Sequence, residues 1–199
     1  MREVAFVERF PVVSVLSDSA LSCAILTFFI GNLDVLSRSL ADSPLPRRPT
    51  AARQAAGEAA LRLGPQAALL GVDVEIISGP HTPRVLVDPT FFGKALDNLI
   101  ANCLQYSPPN GKVKIECTAR KDRGVLTVTD DGPSVPIDLR EIALQAEGQN
   151  VSKQRYEARY GRGLGLYCAA EAARICGAEV TIGERGGHSA LEISAQLVP

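Results

Sequence analysis

Apolar residues follow two periods along this chain, and the change from one to the other divides it. From residue 14 to residue 41 the spacing is helical, with Leu33, Leu36 and Leu40 three to four positions apart. The most apolar part of this run, "ALSCAILTFFIG", is 12 residues long. That is too short to span a bilayer and predicts a helix face buried in protein. "SPLPRRPT" then places three prolines within six residues, which stops a helix and marks a linker. A second helical run, "AARQAAGEAALRLGPQAALLG", follows from Thr50 as its N-cap, and Pro65 predicts a kink or a division within it.

Beyond residue 71 the texture changes. "VDVEIIS" and "RVLVD" read as strands. Asp88 and Pro89 open the strongest helix, "PTFFGKALDNLIANCLQY", closed by Pro108, Pro109 and the Asn110–Gly111 turn. At about 100° per residue, Phe92, Leu96, Leu99, Ile100 and Cys103 share its apolar face. "KVKIECTA" and "GVLTVTD", joined by "RKDR", predict a hairpin, and a short helix is expected near "DLREIALQAE". The polar loop "GQNVSKQRYEARY" leads to the glycine turn "GRGLG" and a last helix; "EVTIGER" and "ALEISAQLV" then flank "GGHS". This order predicts an α/β fold, a two-layer α/β sandwich with helices on one face of a mixed sheet, preceded by a separate helix. A doubly wound dinucleotide fold is not expected, because no strand leads directly into the glycine turn.

Composition narrows the function. The net charge of −1 comes without a basic block, and Trp is absent, so neither an electrostatic nor a stacking surface for nucleic acid is expected. The five cysteines are scattered with no CxxC pair, and His81 and His188 have no cysteine near them. A Cys/His metal centre is therefore not expected, and a reduced cytoplasmic setting is. The start, "MREVAFVERF", carries acidic residues and lacks a signal-peptide pattern, and no membrane segment is expected in the chain.

Three stretches offer chemistry. On the strong helix Asn98, Asn102 and Gln105 fall on one face, with Tyr106 at its boundary. A row of carboxamides is either a polar outer face or a set of oxygen donors for a hard cation such as Mg²⁺. In "TVTDDGPSVP", Asp130 is either a strand-ending turn residue or a fixed carboxylate that accepts a hydrogen bond from an exocyclic amine. Gly132 would then let a flat ring approach the backbone. In "YGRGLGLYCAA", Gly161, Gly163 and Gly165 either make a tight turn or bring the backbone close to a phosphate chain.

In this order, "DNLIANCLQYS", "VTDDGPSVP" and "GRGLGLYCAA" resemble the ATP-binding domain shared by sensor histidine kinases and the wider GHKL ATPase superfamily. The likeness covers about residues 50 to 199. It implies a Bergerat-type ATP-binding fold over residues 47–199, with residues 1–46 resembling part of a dimerisation hairpin and its linker. It also implies ATP and Mg²⁺ as cofactors, with Asn102, helped by Asn98, on the metal and Tyr106 near the adenine. Asp130 would accept from the adenine amino group beside Gly132. Gly161, Gly163, Leu164 and Gly165 would form the glycine box, under a lid in which Lys153, Arg155 or Arg159 reaches a phosphate.

The chain departs from the family at Gln105, where a lysine is usual, and at Ser134, which replaces the second glycine of the Asp-x-Gly-x-Gly pattern. Neither His81 nor His188 suits an acceptor helix. The acceptor histidine is therefore expected upstream or in a partner; alternatively, residues 14–41 are a degenerate acceptor helix with Ala20 or a neighbour in its place. The implied function is the ATP-binding catalytic domain of a two-component histidine kinase, with a response regulator as partner and a homodimer through the N-terminal helix. A non-catalytic adaptor that docks a response regulator, and an anti-sigma-type serine kinase, are the alternatives.

Overall fold

The computed structural model describes residues 12–41, 45–79, 82–146 and 164–198. In chain order they form α1 (Val12–Ser39), β1 (Arg48–Ala51), α2 (Ala52–Leu70), β2 (Asp73–Ser78), β3 (Arg84–Val87) and α3 (Pro89–Tyr106). Then come β4 (Lys112–Arg120), β5 (Arg123–Asp130), α4 (Gly165–Cys176), β6 (Ala178–Arg185) and β7 (His188–Gln196).

The central helix is α3, and its first turn explains where it starts. The Asp88 carboxylate accepts hydrogen bonds from the backbone N–H groups of Thr90 and Phe91, each 3.0 Å long. Pro89 follows, where its missing N–H costs nothing. Such a cap stabilises a helix by about 1 kcal/mol. The apolar face is the predicted one: Phe92, Leu96, Leu99, Ile100 and Cys103 are all fully buried. Alanines on both neighbours let them approach closely, with Ala52, Ala56 and Ala59 of α2 and Ala169, Ala172 and Ala173 of α4 at 0% exposure.

Beneath the helices lies a five-stranded sheet in the order β2-β4-β5-β7-β6. The β2–β4 pair is parallel and the other pairs are antiparallel, so the sheet is mixed. The register places Ile115, Val128, Leu191 and Ile182 in one row facing the helices. The next row, Glu116, Thr127, Glu192 and Thr181, faces the other way. There Arg120 forks onto Glu192 at 2.8 and 2.9 Å, Thr127 donates to Glu192 at 3.0 Å, and Arg185 meets Glu116 at 2.5 Å. One face is hydrocarbon and the other a charged lattice, as a two-layer sandwich requires.

Helix α1 lies against α3 and α4. It buries Val35 completely and Asn32 to 5% exposure, with Phe28 half-buried against the same core. Lys94 of α3 pairs with Asp34, and Arg174 of α4 donates to the Ser39 carbonyl at 3.4 Å.

Five expectations need correction. The apolar run "ALSCAILTFFIG" is not a buried face: Leu26, Phe29 and Ile30 are 61%, 50% and 66% exposed, and Leu33 nearby is 63% exposed. The proline-rich segment is not all linker, since Arg48–Ala51 pairs antiparallel with β3. Pro49 is tolerated because a short two-stranded edge can spare a donor. Thr50 is not the cap of α2; Ala51 holds that position without a side-chain bond, and Thr50 Oγ1 donates to the Arg48 carbonyl. Pro65 does not divide α2, whose helix runs on to Leu70. The expected short helix after "DDGPSVP" is a pair of 3₁₀ turns, Ile137–Leu139 and Ile142–Leu144.

Candidate functional site

The carboxamide row on α3 turns out to be graded by depth. Asn98 is 2% exposed, Asn102 is half-buried and Gln105 is exposed, with Tyr106 half-buried at the helix end. Asn98 uses its amino group fully: Nδ2 donates to Asn32 Oδ1 and to the Lys94 carbonyl, both at 2.9 Å. Its oxygen is left over. Oδ1 of Asn98 and Oδ1 of Asn102 are both buried without a hydrogen-bond partner among the described residues. Leaving a buried acceptor unsatisfied costs about 1–3 kcal/mol, so two on one helix face call for an explanation. They stand one helical turn apart, where i and i+4 side chains lie side by side.

The start of α4 faces one of them. A Cβ built on Gly165 would stand 3.6 Å from Asn98 Oδ1, filling the space in front of that oxygen. The preceding residue, Leu164, is the N-cap of α4, makes no side-chain cap bond and is 36% exposed. No acidic residue occupies the first turn of α4. Amide oxygens on one side and a helix start without a side-chain cap on the other suit, respectively, a hard oxygen-ligated cation and an anion.

Asp130 ends β5 on the helix-facing side, in the row position after Val128, and is 2% exposed. Its Oδ1 accepts from the Gly132 N–H at 2.8 Å, while Asp131 turns outward and accepts from the Lys112 N–H at 2.8 Å. The β6–β7 hairpin supports this corner. Ser134 Oγ donates to the Gly187 carbonyl at 3.1 Å, the Val135 N–H donates to the fully buried Ser189 Oγ at 2.7 Å, and His188 Nδ1 lies 3.3 Å from the Gly132 carbonyl. Ser134 therefore ties the loop after Asp130 to the hairpin turn.

Asn98 and Gly165 thus come together, with Asn102 one helical turn along α3, and Asp130 and Gly132 form a second corner. Gln105 does not join either group. Gly161 and Gly163 lie outside the described residues, as do Lys153, Arg155, Arg159 and His81. Three contributors had no sequence motif behind them: Asn32, Ser189 and the His188 ring. Asn32 did carry a signal, being an asparagine set inside the apolar run "FFIGNLDVL". A cavity of about 620 Å³ opens elsewhere, among β1, α2 and α3, and contains none of the predicted residues. Arg62 and Asp97 on its wall pair with each other, and Lys94 pairs with Asp34 of α1.

Comparison with known proteins follows the same lines. A family model described as "Histidine kinase-, DNA gyrase B-, and HSP90-like ATPase" matches residues 87–197. The alginate biosynthesis sensor protein KinB of Pseudomonas aeruginosa is 24% identical over 133 residues, which is 67% of this chain and 22% of KinB. The chain spans about a fifth of the length of the curated relatives it matches first. Among solved structures, the catalytic domain of histidine kinase ThkA superposes with a TM-score of 0.65 at 18% identity, covering 78% of this chain and 99% of that one. Full-length ShkA in complex with AMPPNP gives 0.71 at 22% identity, covering 93% of this chain and 38% of that one. At these identities the structural likeness speaks for the fold. No helix among the described residues is long and apolar enough to cross a membrane.

Proposed function

Because the chain belongs to the histidine kinase-, DNA gyrase B- and HSP90-like ATPase family, we propose that residues 47–199 bind ATP between α3 and the start of α4 and donate its γ-phosphoryl group to a histidine carried elsewhere. The observation that supports this most is the pair of buried oxygens of Asn98 and Asn102, without hydrogen-bond partners among the described residues, the first of them facing Gly165. In this reading the orphaned oxygens are the cation's ligands, with Asn102 as principal ligand and Asn98 as its helper. Mg²⁺ held there would neutralise phosphate charge, which is most of what phosphoryl transfer asks of a site.

The remaining roles belong to the chain's own groups. Asp130 would accept from the adenine amino group, its carboxylate fixed by the Gly132 N–H. Tyr106 would pack near the ring. The backbone of the glycine box, Gly161, Gly163, Leu164 and Gly165, would approach the phosphates, helped by the positive end of α4. Since transfer needs the acceptor nitrogen in line with the γ-phosphorus, His188 is a poor acceptor. It is half-buried in a hairpin and held beside the Gly132 carbonyl. The acceptor would sit on a helical hairpin upstream or in a partner.

Residues 1–46 would then be the dimerisation-type segment and linker, and α1 would join two copies. Its exposed Leu26, Phe29, Ile30 and Leu33 give that reading a surface. A response regulator would receive the phosphoryl group, in a reducing cytoplasmic setting. The test is calorimetric titration with a non-hydrolysable ATP analogue, with and without Mg²⁺. Mg²⁺-dependent binding is expected. An absence of heat and of thermal shift at millimolar analogue would favour the adaptor reading, which draws on Gln105, an exposed neutral residue where the family usually has a lysine.

A further inference from the structure

Asn98 is a deeply buried carboxamide held both by its own helix and by a residue outside the ATP-binding body. A carboxamide has two N–H donors and one oxygen. The Lys94 carbonyl, one turn back on the same helix, can only accept, so the amino group must face it. The second N–H then points at Asn32 Oδ1 on α1, again an acceptor, at 2.9 Å. With both donors spent, the oxygen has one direction left, towards Gly165. Rotating the amide by half a turn would set oxygen against oxygen at the Lys94 carbonyl, and at Asn32 it would require that carboxamide to turn as well. Asn32 and Asn98 are 5% and 2% exposed, so water is a poor substitute. The Lys94–Asp34 pair holds the same two helices together nearby.

We propose that Asn32 is a positioning residue for the cation–phosphate site: it locks the Asn98 carboxamide with its oxygen facing the start of α4, and so couples the seating of α1 to cation-dependent nucleotide binding. Without Asn32, or with α1 lifted away, the Asn98 amide keeps only its bond to the Lys94 carbonyl, and its oxygen is held less firmly in place. Coupling of this kind runs both ways. A cation on the Asn98 oxygen favours α1 in its seated position, and whatever moves α1 weakens the cation's hold. The apolar stripe of α1 faces away from this contact and stays exposed, leaving the helix open to a partner that could shift it.

The inference rests on the ATP-binding reading above, and the experiment separates the two. Asn32→Leu keeps the bulk and removes the acceptor; Asn32→Asp keeps an acceptor. In the full chain, Asn32→Leu should weaken Mg²⁺-dependent binding of the ATP analogue about tenfold, the worth of one buried hydrogen bond. Adenosine binding should be unchanged, and Asn32→Asp should bind the analogue at least as well as wild type. In an Asn98→Ala background Asn32→Leu should cost nothing further. Nitrogen-resolved NMR of the ligand-free chain should show the Asn98 side-chain amide protons losing exchange protection in Asn32→Leu. Equal losses for adenosine and the analogue, additivity with Asn98→Ala, or unchanged Asn98 amide signals would each overturn the role assigned to Asn32. A wild-type chain that binds no nucleotide would overturn the site reading and this role together. The amide signals would then judge the Asn32–Asn98 contact by itself.

Discussion

Asp130 Oδ1 and the backbone N–H of Gly132 are joined at 2.8 Å, which curls the chain tightly over the end of β5. The contact needs an oxygen and not a charge. Asp130→Asn should therefore preserve the corner, with a thermal midpoint close to wild type, while losing the charge-assisted bond to an adenine amino group. Such bonds are worth about 1.5–3 kcal/mol, or roughly ten- to hundredfold in affinity. Calorimetry on the variant checks it; a loss of fold stability equal to the loss of affinity would make Asp130 a turn residue and nothing more.

Asn102 makes the opposite prediction for stability. Its Oδ1 is buried without a partner among the described residues, so the ligand-free fold carries a desolvation cost that an apolar side chain would remove. Asn102→Leu should raise ligand-free stability by about 1 kcal/mol and abolish Mg²⁺-dependent nucleotide binding. Chemical denaturation with and without analogue measures both. A destabilised variant would show that the oxygen is satisfied after all.

Glu192 sets a pH dependence on the far side of the sheet. Burial pushes its carboxyl up, but the Arg120 guanidinium, the Thr127 hydroxyl and Arg185 outweigh that, and its pKa is lowered overall. A carboxyl lowered in the folded state adds stability above its unfolded pKa, and that stability is lost as pH falls through the folded value. Glu192→Gln should thus cost about 1 kcal/mol at pH 7, the scale of a partly exposed ion pair. The deficit should shrink towards zero once acid has taken the pH below the ordinary carboxylate range. Urea melts across that range would show a deficit that closes; a constant one would assign the effect to packing.

The cysteines divide by depth. Cys23 on α1 is exposed, while Cys103, Cys117, Cys168 and Cys176 are buried. Burial pushes the Cys117 and Cys168 thiols to about 11 and Cys176 to about 12, so all three stay protonated at neutral pH. A thiol reagent at pH 7.5, about neutral, should modify one cysteine in the native chain and all five after denaturation. More than one fast thiol in the native chain would mean that the core opens easily.

Much of this was readable in advance, and the reasons are local. Asp88–Pro89 announces α3 because cap and first turn lie within three residues, and its buried face follows from helical spacing alone. The hairpins were legible because each strand pair is joined by a short turn. β1 was hidden because Arg48–Ala51 owes its strand to Val85 and Leu86 across the gap, which no local propensity reports. The exposure of Leu26, Phe29 and Ile30 was hidden for a related reason: periodicity shows that a helix has an apolar face, not what covers it. Of the candidate site, residue types pointed to Asn98, Asn102 and Asp130, whose burial the fold then reveals. The Asn32–Asn98 contact exists only across two helices far apart in sequence, and nothing short of their packing could show it.

The placement of β7 has a consequence for synthesis. β5 has β4 on one side from the moment their hairpin forms, but its other edge waits for β7, which lies beyond α4 and β6 in the chain. A nascent chain still lacking residues 188–196 therefore holds an open strand edge beside Asp130, and β6 has nothing to pair with. Ser189, which props Val135, is missing too. The corner after Asp130 cannot take its final shape early on the ribosome; it closes in one late step, when an interior strand slides between two that were made before it.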